Sequence, residues 1–287
     1  MPAVRPTAVA GRFYPGTEAG CRELAAQYFQ EPAARRAVGA VVPHAGWVYS
    51  GATAALGWSA IAAGEPGTII VFGAVHGPDA NVASACTRGG WDTPLGPLFI
   101  DEELAHALTQ HPLIKDNPGA HRREHSIEVQ LPLAKYLLPD VRFIPIGVRP
   151  SLEAPEIGRF CAAAARSMGR TVAFVGSTDL THYGPAFGFE PHGRGEAGVR
   201  WAKEVNDRRM IARIQAGDAA GIVPEAVANH NACGPGAIAA LIGAMNELGG
   251  LTYRELRHTC SAECETVMDR DPWNSVGYEA GVFVTES

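Results

Sequence analysis

Three histidines follow short apolar runs, at places where side chains leave the end of a buried strand. His44 comes directly after the run 40–43, and His76 follows the run 68–75. His182 lies a few residues beyond a third such run. β-Branched runs of this length are typical of buried parallel strands, and open α/β sheets bind ligands outside the carboxyl ends of their strands. The pattern therefore predicts one site in which imidazoles bind a metal ion or transfer protons.

Cys233 has a setting suited to chemistry, because it just precedes a predicted helix over 236–248. A position near a helix N-terminus lowers the pKa of a thiol and so favours the thiolate. One thiolate and two neutral imidazoles form an accepted ligand set for zinc, iron or copper. The alternative is a buried, unreactive cysteine. We assign that alternative to the cysteines with no comparable setting: Cys86, Cys161, Cys260 and Cys264.

Asp179 and His182 occur together just beyond the predicted strand 172–176. A carboxylate and an imidazole at this spacing suit general acid–base catalysis, or the orientation of the imidazole by the carboxylate. The alternative is an aspartate that caps a helix and a histidine at the surface. We expect Asp179 to orient the ring of His182, and His182 to lie in the pocket without binding the metal.

The segment 124–132 offers further polar groups, among them Glu124, His125 and Glu128. In one interpretation these side chains line the crevice at the ends of the predicted strands. In the other, Ser126 caps a helix and Glu128 lies in its first turn. The segment differs from the HExxH pattern of zinc metalloproteases, so it does not indicate that class. The remaining histidines are expected at the surface or in loops: His106, His111, His121, His192 and His258.

The elements that must position these residues alternate between helix and strand, which predicts an α/β fold. We expect a single-domain α/β/α sandwich over residues 1–287, with a mostly parallel central sheet. The last two strands are compatible with an antiparallel extension of that sheet. Helices are predicted over 18–29, 52–63, 102–111, 126–138, 153–167, 197–216 and 236–248. Strands are predicted over 40–42, 68–74, 142–148, 172–176, 253–258 and 281–285.

The composition is that of a globular protein, with 46% hydrophobic and 19% charged residues in a chain of 287. A net charge of −6 without a basic run argues against nucleic acids and anionic membranes as partners. The sequence contains no signal-peptide pattern, and no apolar stretch near the roughly 20 residues of a membrane span. Six cysteines without a CxxC pair favour free thiols in a reducing compartment, and hence the cytoplasm.

Several short motifs occur in order from one end of the chain to the other. They are AGRFYP at 10–15, PHAG at 43–46, FGAVH at 72–76, EHSIE at 124–128, STDLTHYG at 177–184, HNACG at 230–234 and SVGYEAG at 275–281. This ordered set resembles the Memo family, also known as protein B of the AmmeMemoRadiSam system. The family is similar in fold to class III extradiol dioxygenases, which have a non-haem iron pocket at one edge of the sheet.

The resemblance implies a ligand set of His44, His76 and Cys233, with the cysteine in place of the carboxylate ligand of the dioxygenases. It places Asp179 and His182 in the same pocket. Because a thiolate is softer than a carboxylate, we expect iron or copper, with zinc also possible. The substrate pocket is expected to contain a further set of residues around these groups: Phe13, Tyr14, Trp47, His125, Glu128 and His230.

Three functions remain open. The first is a redox enzyme that uses iron or copper and dioxygen, with His182 as general acid or base and Asp179 or Glu128 in support. The second is a non-catalytic module that binds a small molecule or a peptide in a vestigial pocket. The third is a zinc-dependent hydrolase. The resemblance also implies a functional link to a radical SAM protein and to an AMMECR1-type protein, while the cysteine ligand leaves turnover itself undecided.

Overall fold

The computed structural model describes residues 3–30, 35–264 and 273–285. Its helices are α1 (Glu18–Tyr28), α2 (Trp47–Ala62), α3 (Glu102–Leu108), α4 (Leu131–Leu137), α5 (Ala154–Ser167), α6 (Glu196–Trp201), α7 (Arg208–Gln215), α8 (Ala219–Asn229) and α9 (Pro235–Leu248). Its strands are β1 (Val4–Arg5), β2 (Gly39–Val42), β3 (Thr68–Gly73), β4 (Ala83–Ala85), β5 (Gly90–Trp91), β6 (Leu98–Phe99), β7 (Ile114–Asp116), β8 (Arg142–Val148), β9 (Val172–Ser177), β10 (His182–Tyr183), β11 (Leu251–Cys260) and β12 (Ser275–Thr285).

The main sheet has parallel strands at its centre and antiparallel strands at its edges. Its order is β10-β12-β2-β9-β3-β8-β4-β7, and β11 pairs with the long strand β12. The neighbours β2, β9, β3 and β8 are parallel to one another. Val42 pairs with Ser177, and Phe72 pairs with Gly176, so β2, β3 and β9 end at the same edge. The predicted sheet is confirmed, together with the antiparallel extension formed by β11 and β12.

Helices cover both faces of this sheet. On one face α2 lies so close that a Cβ built on Gly57 would be 2.7 Å from a methyl carbon of Val42. On the other face α9 packs Leu241 against Gly176 of β9. Successive residues of a strand face opposite sides, which is why β2 and β9 can bury apolar groups against both layers. The α/β/α sandwich is therefore confirmed, and no helix among the described residues is long and apolar enough to cross a membrane.

Several helices have different bounds in the structure from those predicted. Helix α2 begins at Trp47 instead of residue 52, because the amide of Trp47 donates to the carbonyl of Phe13 at 2.7 Å. The helix predicted from residue 126 begins at Leu131, because the Ser126 hydroxyl donates to the carbonyl of Ala74 instead of capping a helix. The predicted helix 197–216 is divided by a π-helix over Ala202–Asp207. Helix α8 was not predicted, since Gly221 and Pro224 interrupt its pattern.

Two histidines expected at the surface or in loops are buried and hydrogen-bonded. His121 is 1% exposed, and its Nε2 donates to the carbonyl of Ser84 at 2.9 Å. His258 lies in β11 with its Nε2 3.0 Å from the carboxylate of Asp207. A buried imidazole is tolerated where a hydrogen-bond partner replaces water, and tertiary contacts supply both partners here.

Candidate metal centre

A cavity of about 500 Å³ opens at the carboxyl ends of β2, β3 and β9. The segments that follow these three strands bring His44, His76, Asp179 and His182 to its wall. Among the described residues, the rest of the wall is formed by Phe13, Ala45, Gly46, Tyr49, His125, Phe187, Ser261, Asn274, Ser275, Val276 and Tyr278.

His44 has one ring nitrogen committed to the protein and one left for a ligand. The hydroxyl of Ser177 donates to the carbonyl of Ser126 at 2.8 Å. Ser177 Oγ therefore accepts from the Nδ1–H of His44, 3.0 Å away, and Nε2 carries the lone pair. Burial, followed by the neighbouring His76 and His125, holds the pKa of His44 well below its ordinary value. The ring is thus neutral, which is the form that binds metals.

His76 is oriented in the same way by Glu124. Its Nδ1 lies 3.0 Å from Glu124 Oε1, and its backbone amide donates to Oε2 at 2.8 Å. Burial opposes the charge of this carboxyl, but the hydrogen bonds from His76 outweigh burial and lower the pKa of Glu124. Burial also works against protonation of His76, yet Glu124 outweighs it and raises the pKa of the imidazole. With Nδ1 donating to the carboxylate, Nε2 of His76 is free for a metal.

Cys233 lies against His44 but is not the low-pKa thiol that its position predicts. Its Sγ is 3.2 Å from Nε2 of His44 and accepts from the backbone amide of Asp179 at 3.3 Å. Helix α9 begins two residues later, at Pro235. Burial raises the pKa of the Cys233 thiol, the carboxylate of Asp179 adds to the rise, and together they outweigh the hydrogen bonds from Asp179 and Thr178, which lower it. Metal binding itself deprotonates such a thiol.

The donor atoms form two groups that share His44. One consists of His44, His76 and His125, and the other of His44, Asp179 and Cys233. Within each group the donor atoms lie within 4.8 Å of one another. From the sequence, His125 was predicted to line the pocket and Asp179 to accompany His182. Neither residue was predicted to donate an atom to a metal ion. For His125 the available signal was its place next to Glu124, whose Oε1 accepts from the His125 amide at 2.8 Å.

Asp179 and His182 share the cavity, but the aspartate does not orient the histidine. Asp179 Oδ1 accepts from the backbone amides of His44 and Ala45 at 2.7 and 3.2 Å. The ring of His182 is instead held by the carbonyl of Leu180, which accepts from Nδ1 at 3.1 Å. Asp179 is 4% exposed, and burial raises its pKa although the nearby His182 opposes the rise. Its clear structural role is to fix the backbone that carries His44.

Two of the six predicted pocket residues line the cavity. Phe13 and His125 lie in the wall, and their rings are 4.7 Å apart. Three aromatic residues of the wall were missed: Tyr49, Phe187 and Tyr278. They come from segments far apart in the chain, so no local pattern marks them.

The other four predicted pocket residues lie elsewhere. Glu128 is fully buried behind the wall, where it accepts from the hydroxyl of Tyr14 at 2.8 Å. Trp47 is 2% exposed, and its indole N–H donates to the carbonyl of Val129. His230 is exposed at the end of α8 in a left-handed conformation, with φ of 51°. Hydrogen bonds thus fix Tyr14, Glu128 and Trp47 away from the cavity, and His230 lies at the surface.

Comparison with known proteins identifies the family. The model of a family described as Memo-like protein matches residues 5–282. The chain belongs to the Memo family. A MEMO1 family protein of Thermococcus onnurineus is 36% identical over 294 residues, covering 98% of this chain and 99% of the relative. A MEMO1 family protein of Pyrobaculum arsenaticum is also 36% identical, over 295 residues with the same coverage. An uncharacterized protein of known structure from Escherichia coli K12 covers 85% of this chain, and 99% of its own, at 13% identity and a TM-score of 0.49.

The donor set of this Memo-family chain fits a transition-metal ion. His44 and His76 each use Nδ1 within the protein and leave Nε2 free, and the thiol of Cys233 lies beside the first of these nitrogens. Imidazole and thiolate are ligands of zinc, iron and copper, whereas magnesium and calcium require oxygen donors. The arrangement therefore has the chemistry of a transition-metal site.

Proposed function

We propose that the chain binds one redox-active metal ion, iron or copper, and acts on a small molecule held in the adjacent cavity. The ligands in this proposal are His44, His76 and Cys233. The observation that carries it is the fixed tautomer of His44, whose free Nε2 belongs to both donor groups. A nitrogen that is held ready in this way reduces the cost of binding a metal.

When bound, an iron or copper ion supplies redox chemistry at the floor of the cavity. The protein supplies the remaining functions. Asp179 holds the backbone of His44 and Ala45 in place. His182 is free to exchange a proton through Nε2, because its Nδ1 is committed to the carbonyl of Leu180. It is our candidate for general acid or base.

The cavity suits a small ligand with an apolar or aromatic body. Aromatic rings from four separate segments contribute to its wall: Phe13, Tyr49, Phe187 and Tyr278. Tyr278 is buried, whereas Tyr49 and Phe187 are 41% and 43% exposed. Rings with this graded exposure would pack against the ligand and exclude water from its inner end.

The test is the metal content of protein purified without chelator and without added metal. We expect iron or copper in the natural protein, a large loss in His44→Ala, and no loss in His106→Ala. His106 is an exposed histidine on α3 and serves as the matched control. Equal iron or copper in natural protein and His44→Ala would refute the site. Zinc in place of a redox metal would favour the hydrolase, and no metal would favour a binding module.

We also propose a cytoplasmic location and a functional link to a radical SAM protein and an AMMECR1-type protein. The location is supported by the six free cysteines, which suit a reducing compartment. The link is supported by the family resemblance alone. Co-purification of the tagged chain with either protein from its own cells would test it, and their absence under conditions that retain weak complexes would count against it.

A further inference from the structure

Three imidazole rings meet at the candidate centre. The ring centroids of His44 and His76 are 5.4 Å apart, those of His44 and His125 are 5.5 Å apart, and those of His76 and His125 are 4.7 Å apart. One ring nitrogen of each lies within 4.8 Å of the others. Cys233 falls in the other donor group, so these three rings form a possible ligand set that contains no sulfur.

The ring nitrogens available for a metal ion in this set are those that the protein leaves uncommitted. Nδ1 of His44 donates to Ser177 and Nδ1 of His76 donates to Glu124, so both rings have Nε2 available for the shared space, and Nε2 of His44 also lies 3.2 Å from the Cys233 thiol. Two acceptors at this range repel each other unless a cation or a hydrogen-bond donor lies between them. A metal ion satisfies both of them at once.

His125 is positioned by the same carboxylate that positions His76. Its amide donates to Glu124 Oε1 at 2.8 Å, and its Nδ1 is 3.7 Å from the same oxygen. Its ring is nearly parallel to that of His76, with an interplanar angle of 17°, and Phe13 packs on it. The ring is therefore confined between two neighbours, as a metal ligand must be.

We infer that His125 is a metal ligand, and that the centre can hold a divalent metal ion through His44, His76 and His125 without Cys233. Nitrogen-only sets of this kind suit Zn²⁺, Cu²⁺ and Co²⁺, whereas a thiolate is preferred by softer ions such as Cu⁺. The proposed set with Cys233 and the nitrogen-only set with His125 would thus give the centre two overlapping binding modes, chosen by the softness of the ion. This inference rests on the proposed function for the roles of His44 and His76, and differs from it in making Cys233 dispensable for divalent ions.

The test uses Co²⁺ as the probe, because bound cobalt has visible absorption bands and a thiolate ligand adds a near-ultraviolet charge-transfer band. The variants are Cys233→Ser, His125→Phe and the double variant, in the full chain. Phenylalanine keeps an aromatic ring between Phe13 and His76 but removes the nitrogens. His106→Phe in the Cys233→Ser background is the control, since this exposed residue on α3 belongs to neither donor group.

We expect Cys233→Ser to bind Co²⁺ within about tenfold of the natural protein, without the charge-transfer band. Adding His125→Phe should then weaken binding by more than about 100-fold, because one of three remaining ligands is lost. The control should bind like Cys233→Ser. Electron paramagnetic resonance of the Cu²⁺ form should report three coordinating nitrogens in Cys233→Ser and two in any copper that the double variant retains.

Two results would overturn the inference. One is loss of Co²⁺ from Cys233→Ser while its circular dichroism stays native, which would make the thiol essential and leave the proposed ligand set intact. The other is equal Co²⁺ affinity in Cys233→Ser and the double variant. Failure of the natural protein to bind either Co²⁺ or Cu²⁺ would instead refute the proposed function. If His125→Phe does not fold, His125→Leu gives the same comparison.

Discussion

Among single residues, Glu124 has the widest influence on the candidate centre. Its two oxygens accept from the backbone amides of His76, His125 and Ser126, and from the ring of His76. One buried carboxylate thus sets the position of two candidate ligands and the tautomer of one. Residues that orient a metal ligand in this way contribute to affinity although they do not touch the metal.

Glu124→Gln should therefore weaken metal binding by about 10–100-fold. The amide NH₂ of glutamine would face N–H donors, and the charge that favours the Nδ1–H tautomer of His76 would be lost. Titration with Co²⁺ measures the effect. Glu18→Gln, which alters an exposed carboxylate at the start of α1, should leave affinity unchanged. Equal affinity in both variants would show that Glu124 has no role in positioning the imidazoles.

His182→Ala should keep the metal content of the natural protein. His182 belongs to neither donor group, and its Nδ1 is bonded to the carbonyl of Leu180. Elemental analysis of the variant beside His44→Ala makes the comparison. A loss as complete as that of His44→Ala would make His182 a ligand, and the division between metal ligands and proton-transfer residues would be wrong.

Among the elements, the antiparallel pair β11 and β12 buries a carboxyl group. Glu279 of β12 is 1% exposed and accepts a hydrogen bond from the hydroxyl of Tyr253. Burial raises the pKa of Glu279 from its ordinary value of 4.5 to about 8, with Tyr253 opposing the rise and Glu255 and Asp207 adding to it. The carboxyl group is therefore neutral in the folded protein under acidic conditions, and its ionisation favours unfolding.

The raised pKa of Glu279 makes the free energy of unfolding depend on pH. A folded-state pKa above the unfolded one stabilises the protein fully below pH 4.5, and the stabilisation is lost as the pH rises through about 8. The free energy of unfolding should thus fall from pH 4.5 to 8 in the natural protein relative to Glu279→Gln. Urea unfolding across this range measures it. Glu103→Gln, at a carboxylate 73% exposed, should keep the natural pH dependence, and a parallel dependence in Glu279→Gln would contradict the assignment.

Some elements that form the site could be predicted from the sequence and others could not. The ends of β2 and β3 could be predicted, because β-branched runs closed by Pro43 and Gly77-Pro78 mark a buried strand and its exit. The nearness of His125 to His44 could not, because the segment 124–130 reaches the sheet edge only through tertiary contacts. The short strands β4–β7 have two or three residues each, too few for a period to be recognised.

At the scale of the whole molecule, the order of strands argues for one folding unit. The strand nearest the carboxyl end, β12, lies beside β2, and β3 lies between β9 and β8. At the other end of the chain, Arg5 donates to the buried carboxylate of Glu128. Any division of the chain would therefore separate strands that pair with each other.

We expect a single cooperative thermal transition, the same by circular dichroism and by calorimetry. Saturating Co²⁺ should raise its midpoint, because a ligand that binds only the folded state stabilises it by mass action. Limited proteolysis should not release two stable fragments of similar size. Two separated transitions, or two such fragments, would contradict the single domain that the sequence predicts.

The carboxylate of Glu128 has a consequence for proteolysis near the N-terminus. It is fully buried and is balanced by Arg5, by the amides of Ala8 and Val9 and by the hydroxyl of Tyr14. A protease that cut after residue 14 would remove all four partners together with the segment that covers Glu128, so the carboxylate would lose these hydrogen bonds and become open to water. The same cut would remove Phe13 and expose His125. Trimming of this segment would thus lower the stability of the protein and open the cavity, although every candidate metal ligand would remain in the chain.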